Sequence, residues 1–155
     1  MHEQHMRRAI ALSREKMRED EGGPFAAVIV RDDAIIAEGW NQVTGHNDPT
    51  AHAEIVAIRE ACRALGCFSL EGCVIYTSCE PCPMCLSAIH WAHIDRVYFA
   101  NTAEDAAAIG FDDARLYQEL ALPHDERTLP MTRLLPAEAL AVFHEWVADP
   151  DRVPY

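Results

Sequence analysis

Apolar residues along this chain fall into two periodicities, one suited to helices and one to short strands. From His2 to Asp20, Met6, Ile10, Ser13 and Met17 share one face at helical spacing with Arg and Glu opposite, which predicts a surface helix halted by Gly22-Gly23-Pro24. Phe25–Val30 and Ala34–Trp40 are apolar runs separated by Asp32-Asp33 and read as a β-hairpin. Residues 41–50 form a polar loop containing Gly45 and the turn-prone Asn47-Asp48-Pro49. A helical pattern follows over 51–65, with Gly66 placed as its C-terminal cap. Cys73–Thr77 reads as a buried strand, and the Cys/Pro-rich turn after it opens a helix over about 83–92. Arg96–Ala100 is a further strand, 103–109 and 114–122 are helical segments divided by Gly110-Phe-Asp-Asp113, and Met131–Leu135 is read as one more strand. Pro136 introduces a helix over about 137–148, and the proline-rich 149–155 has no regular pattern. The order α-β-β-α-β-α-β-α predicts one α/β domain spanning 1–155, built on a mixed sheet of about five strands.

Size and charge narrow the function classes. A chain of 155 residues buries about 70% of its unfolded surface, enough for a core without disulfide staples. The longest apolar run, Phe25–Val30, is six residues, far short of the ~20 a membrane span needs. With no signal-peptide pattern at the N-terminus, the expected location is the cytoplasm. Lys and Arg number 13 against 25 Asp and Glu, a net charge of −12. Such an acidic total disfavours a protein whose affinity comes from phosphate contacts.

The candidate chemistry lies in two short segments. His52-Ala53-Glu54 and Pro81-Cys82-Pro83-Met84-Cys85 each follow a loop and open a predicted helix. A helix N-terminus presents free N–H groups and partial positive charge, which stabilise thiolates and developing hydroxide. His52, Cys82 and Cys85 would supply three ligands to a tetrahedral Zn²⁺, leaving the fourth position to water. Glu54, two residues beyond His52, is placed to shuttle protons without being a ligand. Cys79 also shares the C-x-x-C spacing and is the candidate fourth ligand of a purely structural zinc, although its place at a strand end suits a buried free thiol. A redox role for Cys82-x-x-Cys85 would explain neither His52 nor Glu54. Cys62, Cys67 and Cys73 read most simply as small apolar residues.

Together these segments, H-x-E followed by P-C-x-x-C, resemble the cytidine-deaminase-like zinc hydrolases. Within that superfamily the sequence is most similar to the bacterial guanine deaminases, through Gly23-Pro24-Phe25, Ala27–Val30, Asn47–Glu54, Tyr76–Cys85, Gly110–Asp113, Glu126–Pro130 and the terminal Tyr155. The resemblance implies a three-layer α-β-α fold and a homodimer active in purine metabolism. It also implies zinc-dependent hydrolysis of guanine to xanthine and ammonia, by metal-activated water with Glu54 as proton shuttle. Asn41 would hydrogen-bond the purine, Phe25 would stack on it and Asp113 would contact the base. Tyr155, in a tail (149–155) exchanged between subunits, would close the pocket. Taken alone, Phe25 would be core, Asn41 a turn residue and Asp113 part of a helix cap, while Trp91 fits either a pocket wall or the core.

The alternatives are a tRNA adenosine deaminase, which shares both zinc motifs, a deaminase of another guanine-like heterocycle or nucleoside, and a catalytically inert zinc-stabilised domain. Residues 103–155 carry 4 basic and 11 acidic side chains, a net of −7, where a tRNA enzyme would carry a basic stripe. Residues 1–20 are the only basic-leaning stretch, with 5 basic and 4 acidic, and read as a solvated helix face. The expected partner is therefore a small purine base rather than nucleic acid or a membrane. Retention of Glu54 argues against an inert domain, because folding around a metal does not require that carboxylate.

Overall fold

The hairpin forms around its two-residue turn: Asp32 and Asp33 both take positive φ (49° and 62°), the backbone that a tight turn between right-twisted strands demands and that Asp tolerates. Strands β1 (Ala26–Arg31) and β2 (Ala34–Trp40) pair antiparallel on either side of it. This computed structural model describes the whole chain, Met1–Tyr155. It divides into two compact units, Met1–Arg115 and Leu116–Tyr155.

In the first unit, helix α1 (His2–Arg18) precedes the hairpin. After it come α2 (Val43–His46), α3 (Ala53–Leu65), β3 (Val74–Cys79), α4 (Pro83–Trp91), β4 (Arg96–Asn101), α5 (Ala103–Ala108) and the start of α6 (Ala114–Ala121). The sheet order is β2-β1-β3-β4, with β3 antiparallel to β1 and β4 parallel to β3. Strand alternation divides β1 between two cores. Ala27 and Ile29 pack with Ile75 against Ala53, Ala57 and Ala61 of α3 and Ile89 of α4, whereas Val28 and Val30 pack with Tyr76 against Ala9 of α1. The result is the expected three-layer α-β-α arrangement on a mixed sheet.

Three sequence expectations are corrected. The sheet has four strands rather than about five, because Met131–Leu135 is irregular. Prolines at 130 and 136 close that stretch, and Leu135 lies in the left-handed region (φ 48°), so it cannot run on as a strand. The loop 41–50 contains the one-turn helix α2. On α1, the buried residues are His5, Ala9, Leu12 and Ser13, so of the expected face Met6, Ile10, Ser13 and Met17 only Ser13 is fully buried. The Tyr76 ring lies 5.2 Å from the His5 ring, Ala9 packs with Tyr76, Val28 and Val30, Met6 is only partly buried beside them, and Ile10 is exposed.

The second unit holds the rest of α6, a 3₁₀ turn at His124–Glu126 and α7 (Pro136–Ala148). Arg127 organises its first part, donating from Nε to the Leu122 carbonyl at 3.1 Å, while the Thr128 N–H donates to Glu119 at 3.0 Å. None of its residues is buried, and Leu129, Leu134 and Phe143 are about 70% exposed or more.

Candidate active site

Two helix N-termini meet at the carboxyl end of β3. His52 is the N-cap of α3 and Cys82 the N-cap of α4, both with extended backbone (φ −68°, ψ 156° and φ −66°, ψ 168°). Pro83 then fits the first helical position, where its missing N–H is not needed. Glu54 lies in the first turn of α3, and Cys85 in that of α4. Each of the two sequence motifs therefore delivers one residue from a cap and another from a helical turn.

The close seating of α3 depends on Gly39 of β2. A Cβ added there would lie 2.3 Å from the Ala53 carbonyl oxygen and 2.4 Å from the Ala57 nitrogen. Only glycine lets the first turn of α3 pass so near the strand. The loop before it is tied down by Gln42 N–H to Ala51 O (2.9 Å), and by Asp48, whose Oδ1 accepts from the Thr50 N–H and hydroxyl at 2.8 and 2.7 Å.

The three candidate ligands converge. His52 Nδ1 lies 3.5 Å from both Cys82 Sγ and Cys85 Sγ, and all three donor atoms lie within 4.8 Å of one another. Tetrahedral zinc with ordinary Zn–S and Zn–N bonds would set an S···N edge of about 3.6 Å. The donor set thus fits zinc in both chemistry and spacing. Cys79 does not complete it: its Sγ is directed to the Thr102 carbonyl at 3.6 Å, and burial pushes its thiol up to about 11. With only three protein ligands grouped, the arrangement is that of an open site.

Charge within the cluster is polarised. Hydrogen bonds from Cys85 and from His52 hold the Cys82 thiol down at about 4, against the effect of burial. Cys85 is driven the other way by its bond to Cys82, then by burial and by Glu54. The His52 imidazole is raised by its bond to Cys82. Glu54 is 8% exposed, and burial lifts its carboxyl above the usual carboxylate range while Cys85 lies within hydrogen-bonding reach. A buried carboxyl with a raised pKa is suited to both accepting and returning a proton.

The remaining predicted site residues separate into two groups. Asn41 and Phe25 are neighbours: the Asn41 N–H donates to the Phe25 carbonyl at 3.0 Å. Asn41 is 8% exposed, and its Oδ1 accepts from the N–H groups of Val43 (3.2 Å) and Gly23 (3.4 Å), which leaves the carboxamide N–H₂ as the donor for a ligand. Asp113 is half-buried, and burial, followed by the nearby Cys82 charge, raises its carboxyl. These three and the metal cluster all belong to the first unit. Trp91, by contrast, ends α4 at 67% exposure, about two turns beyond Cys85, and lines an open cleft of about 320 Å³ with Ser87 and His90. Tyr155 is 79% exposed in the second unit.

Two residues of the site went unrecognised in the sequence. Phe111 meets Phe25 edge-on, with ring centroids 4.9 Å apart and an interplanar angle of 88°. Its signals were its place within the family-like segment Gly110–Asp113 and its position directly before the acidic pair Asp112-Asp113, neither of which names its contact with Phe25. Gly39 carried only a general one, since a glycine in a strand pattern marks close approach without saying of what.

Comparison with known proteins agrees with this geometry. The family model for the cytidine and deoxycytidylate deaminase zinc-binding region matches residues 1–101. Guanine deaminase from Bacillus subtilis is 52% identical over 145 residues, covering 94% of this chain and 93% of its own. Its X-ray structure superimposes with a TM-score of 0.97 at 50% identity, over 100% of this chain and 99% of that one. A structure of guanine deaminase from Nitrosomonas europaea matches with a TM-score of 0.68 at 32% identity, over 91% and 81% of the two chains. The tRNA-specific adenosine deaminase of Aquifex aeolicus is 46% identical over 89 residues, 56% of this chain and 59% of its own. With ligand motifs, fold and whole-length similarity in agreement, the chain belongs to the bacterial guanine deaminases within the cytidine-deaminase-like zinc hydrolases.

Proposed function

We propose that this protein is a hydrolytic guanine deaminase, converting guanine and water to xanthine and ammonia. The observation that carries the reaction is the carboxyl of Glu54, buried beside three grouped ligands that leave one coordination position open. His52, Cys82 and Cys85 would hold Zn²⁺, which when bound lowers the pKa of water enough to supply a nucleophile near neutral pH. Glu54 takes a proton from the attacking water on its carboxylate and returns it to the departing exocyclic nitrogen. Asn41 donates its N–H₂ to an acceptor on the purine, Phe25 stacks on the ring with Phe111 bracing it, and Asp113 accepts from a ring N–H. Such an apolar face with a few placed polar groups is what a buried base requires.

The choice of a free purine rests on extent and charge. Similarity to the Bacillus guanine deaminase runs the length of the chain, whereas that to the Aquifex tRNA enzyme covers about half. The −7 net charge over 103–155 also opposes a polyanion. In this reading the protein acts in a reducing compartment, in keeping with six free cysteines. It works as a homodimer in which the tail 149–155 is exchanged and Tyr155 closes a partner's pocket, with Trp91 contributing to the wall. Exposed apolar side chains throughout the second unit support an apolar partner surface there. The test measures ammonia release from guanine, guanosine, adenine, cytosine and a tRNA anticodon hairpin. Turnover of guanine above all others is expected; deamination of the hairpin with guanine untouched would overturn the assignment. Removing 149–155 should lower activity while the metal stays bound, and full activity in the truncated protein would sink the exchanged tail.

A further inference from the structure

A second pair of sulfur atoms lies at the opposite end of α3. Gly66 takes the left-handed conformation (φ 62°, ψ 28°) as its C-terminal cap. Its N–H donates to the Arg63 carbonyl at 3.3 Å, and the Cys67 N–H donates to the Cys62 carbonyl at 3.1 Å. These paired bonds define a Schellman cap, in which the residues at the Cys62 and Cys67 positions normally bring apolar side chains together. Here both are cysteine. The path from one α-carbon through carbonyl, hydrogen bond and amide to the other limits their separation to less than about 7 Å, within reach of a disulfide.

Side-chain contacts point both sulfurs to the same turn. Cys62 Sγ lies 3.8 Å from the Phe68 carbonyl, and Cys67 Sγ accepts the Ser69 N–H at 3.4 Å. Cys67 is exposed and Cys62 partly so, while Cys73 is fully buried in the core. Burial and the nearby Cys67 both raise the Cys62 thiol, in agreement with their closeness.

We propose that Cys62 and Cys67 form a reversible disulfide across the C-terminal cap of α3, with a hydroperoxide as oxidant. The exposed Cys67 sulfur attacks a peroxide oxygen, the O–O bond breaks, and the departing hydroxide or alkoxide takes up the thiol proton. This leaves Cys67 as a sulfenic acid. Cys62 sulfur then attacks Cys67 sulfur, the S–O bond breaks, and hydroxide leaves as water with the Cys62 proton. Both sulfurs are oxidised and the peroxide is reduced; with hydrogen peroxide the products are one disulfide and two waters. A disulfide is the natural end of this chemistry where a resolving thiol stands adjacent. The bridge would tie the end of α3 to the turn leading into β3. His52 lies ten residues away, roughly 15 Å along the helix, so the metal ligands are not part of the exchange.

The experiment treats the zinc-loaded protein with stoichiometric hydrogen peroxide, alkylates remaining thiols and digests with trypsin without reductant. Cleavage after Arg59 and Arg63 releases Cys62 in the peptide 60–63, separate from Cys67. The expected result is that 60–63 is recovered joined to the peptide beginning at Ala64, with fragmentation placing the bridge on Cys67, and that reductant restores the free peptide. Cys67→Ser should abolish the joined pair and leave guanine turnover unchanged before oxidation. Recovery of both cysteines alkylated after peroxide, a bridge from Cys62 to Cys73, or persistence of the joined pair in Cys67→Ser would each overturn the proposal.

Discussion

The two ends of α3 solve the same problem in opposite ways. Every helix leaves its first N–H groups and last C=O groups without intrahelical partners. At the C-terminal end, Gly66 folds the chain back so that Arg63 and Cys62 carbonyls are satisfied by the following backbone. At the N-terminal end, His52 makes no side-chain capping bond and its imidazole turns to Cys82 and Cys85 instead. The first end is therefore closed upon itself and serves stability. The second keeps its N–H groups and partial positive charge facing a cluster of thiols and a carboxyl. Helix α4 repeats the second solution, its cap Cys82 turning its sulfur to His52, so the site is built where two helices decline to close.

Substitutions along α3 should divide accordingly. His52→Ala removes one of three grouped ligands, and bound metal and activity should both be lost, as measured by metal analysis and ammonia release. Metal retained at full stoichiometry would contradict the ligand assignment. Glu54→Gln should lower kcat by roughly 10²–10⁴-fold with zinc content and Tm held, since the carboxyl is not a ligand; turnover near that of the wild type would remove Glu54 from the mechanism. Gly39→Ala should fall between the two classes. The added methyl meets backbone atoms of α3 at 2.3–2.4 Å, and displacement of the first turn by about 1 Å should lower kcat by about 100-fold as well as lowering Tm. A fully active Gly39→Ala protein would show that the seating of α3 tolerates that shift. Gly66→Ala, with open space around it but φ at 62°, should cost about 1 kcal/mol and a few degrees in Tm, with kcat unchanged. A loss of turnover there, without a change in Tm, would erase the distinction between the ends.

The sequence was most legible where a local rule acts alone. Asp32-Asp33 between two apolar runs, Gly66 after a helical pattern and Pro83 behind Cys82 each announce a backbone geometry that neighbours in sequence enforce. It was less legible where packing chooses among apolar residues. On α1 the larger side chains Met6 and Ile10 mark a plausible face, yet the residues buried against Val28, Val30 and Tyr76 are His5 and Ala9, with Met6 only partly buried beside them. Met131–Leu135 has the composition of a strand, but a strand exists only with a ladder partner, and the flanking prolines and Leu135 backbone deny it one.

The same division holds at the site. H-x-E and P-C-x-x-C named His52, Glu54, Cys82 and Cys85 because ligand chemistry and helix-cap position are both local properties of a few consecutive residues. Their meeting, with donor atoms inside 4.8 Å, the exclusion of Cys79 despite its matching spacing and the bracing of Phe25 by Phe111 were decided only in the tertiary structure. Spacing along a chain fixes which residues share a turn, whereas the direction of a side chain depends on which strand ends beneath it. Cys79 belongs to the final register position of β3 and turns to Thr102, and Cys82 caps the helix that follows and turns to His52.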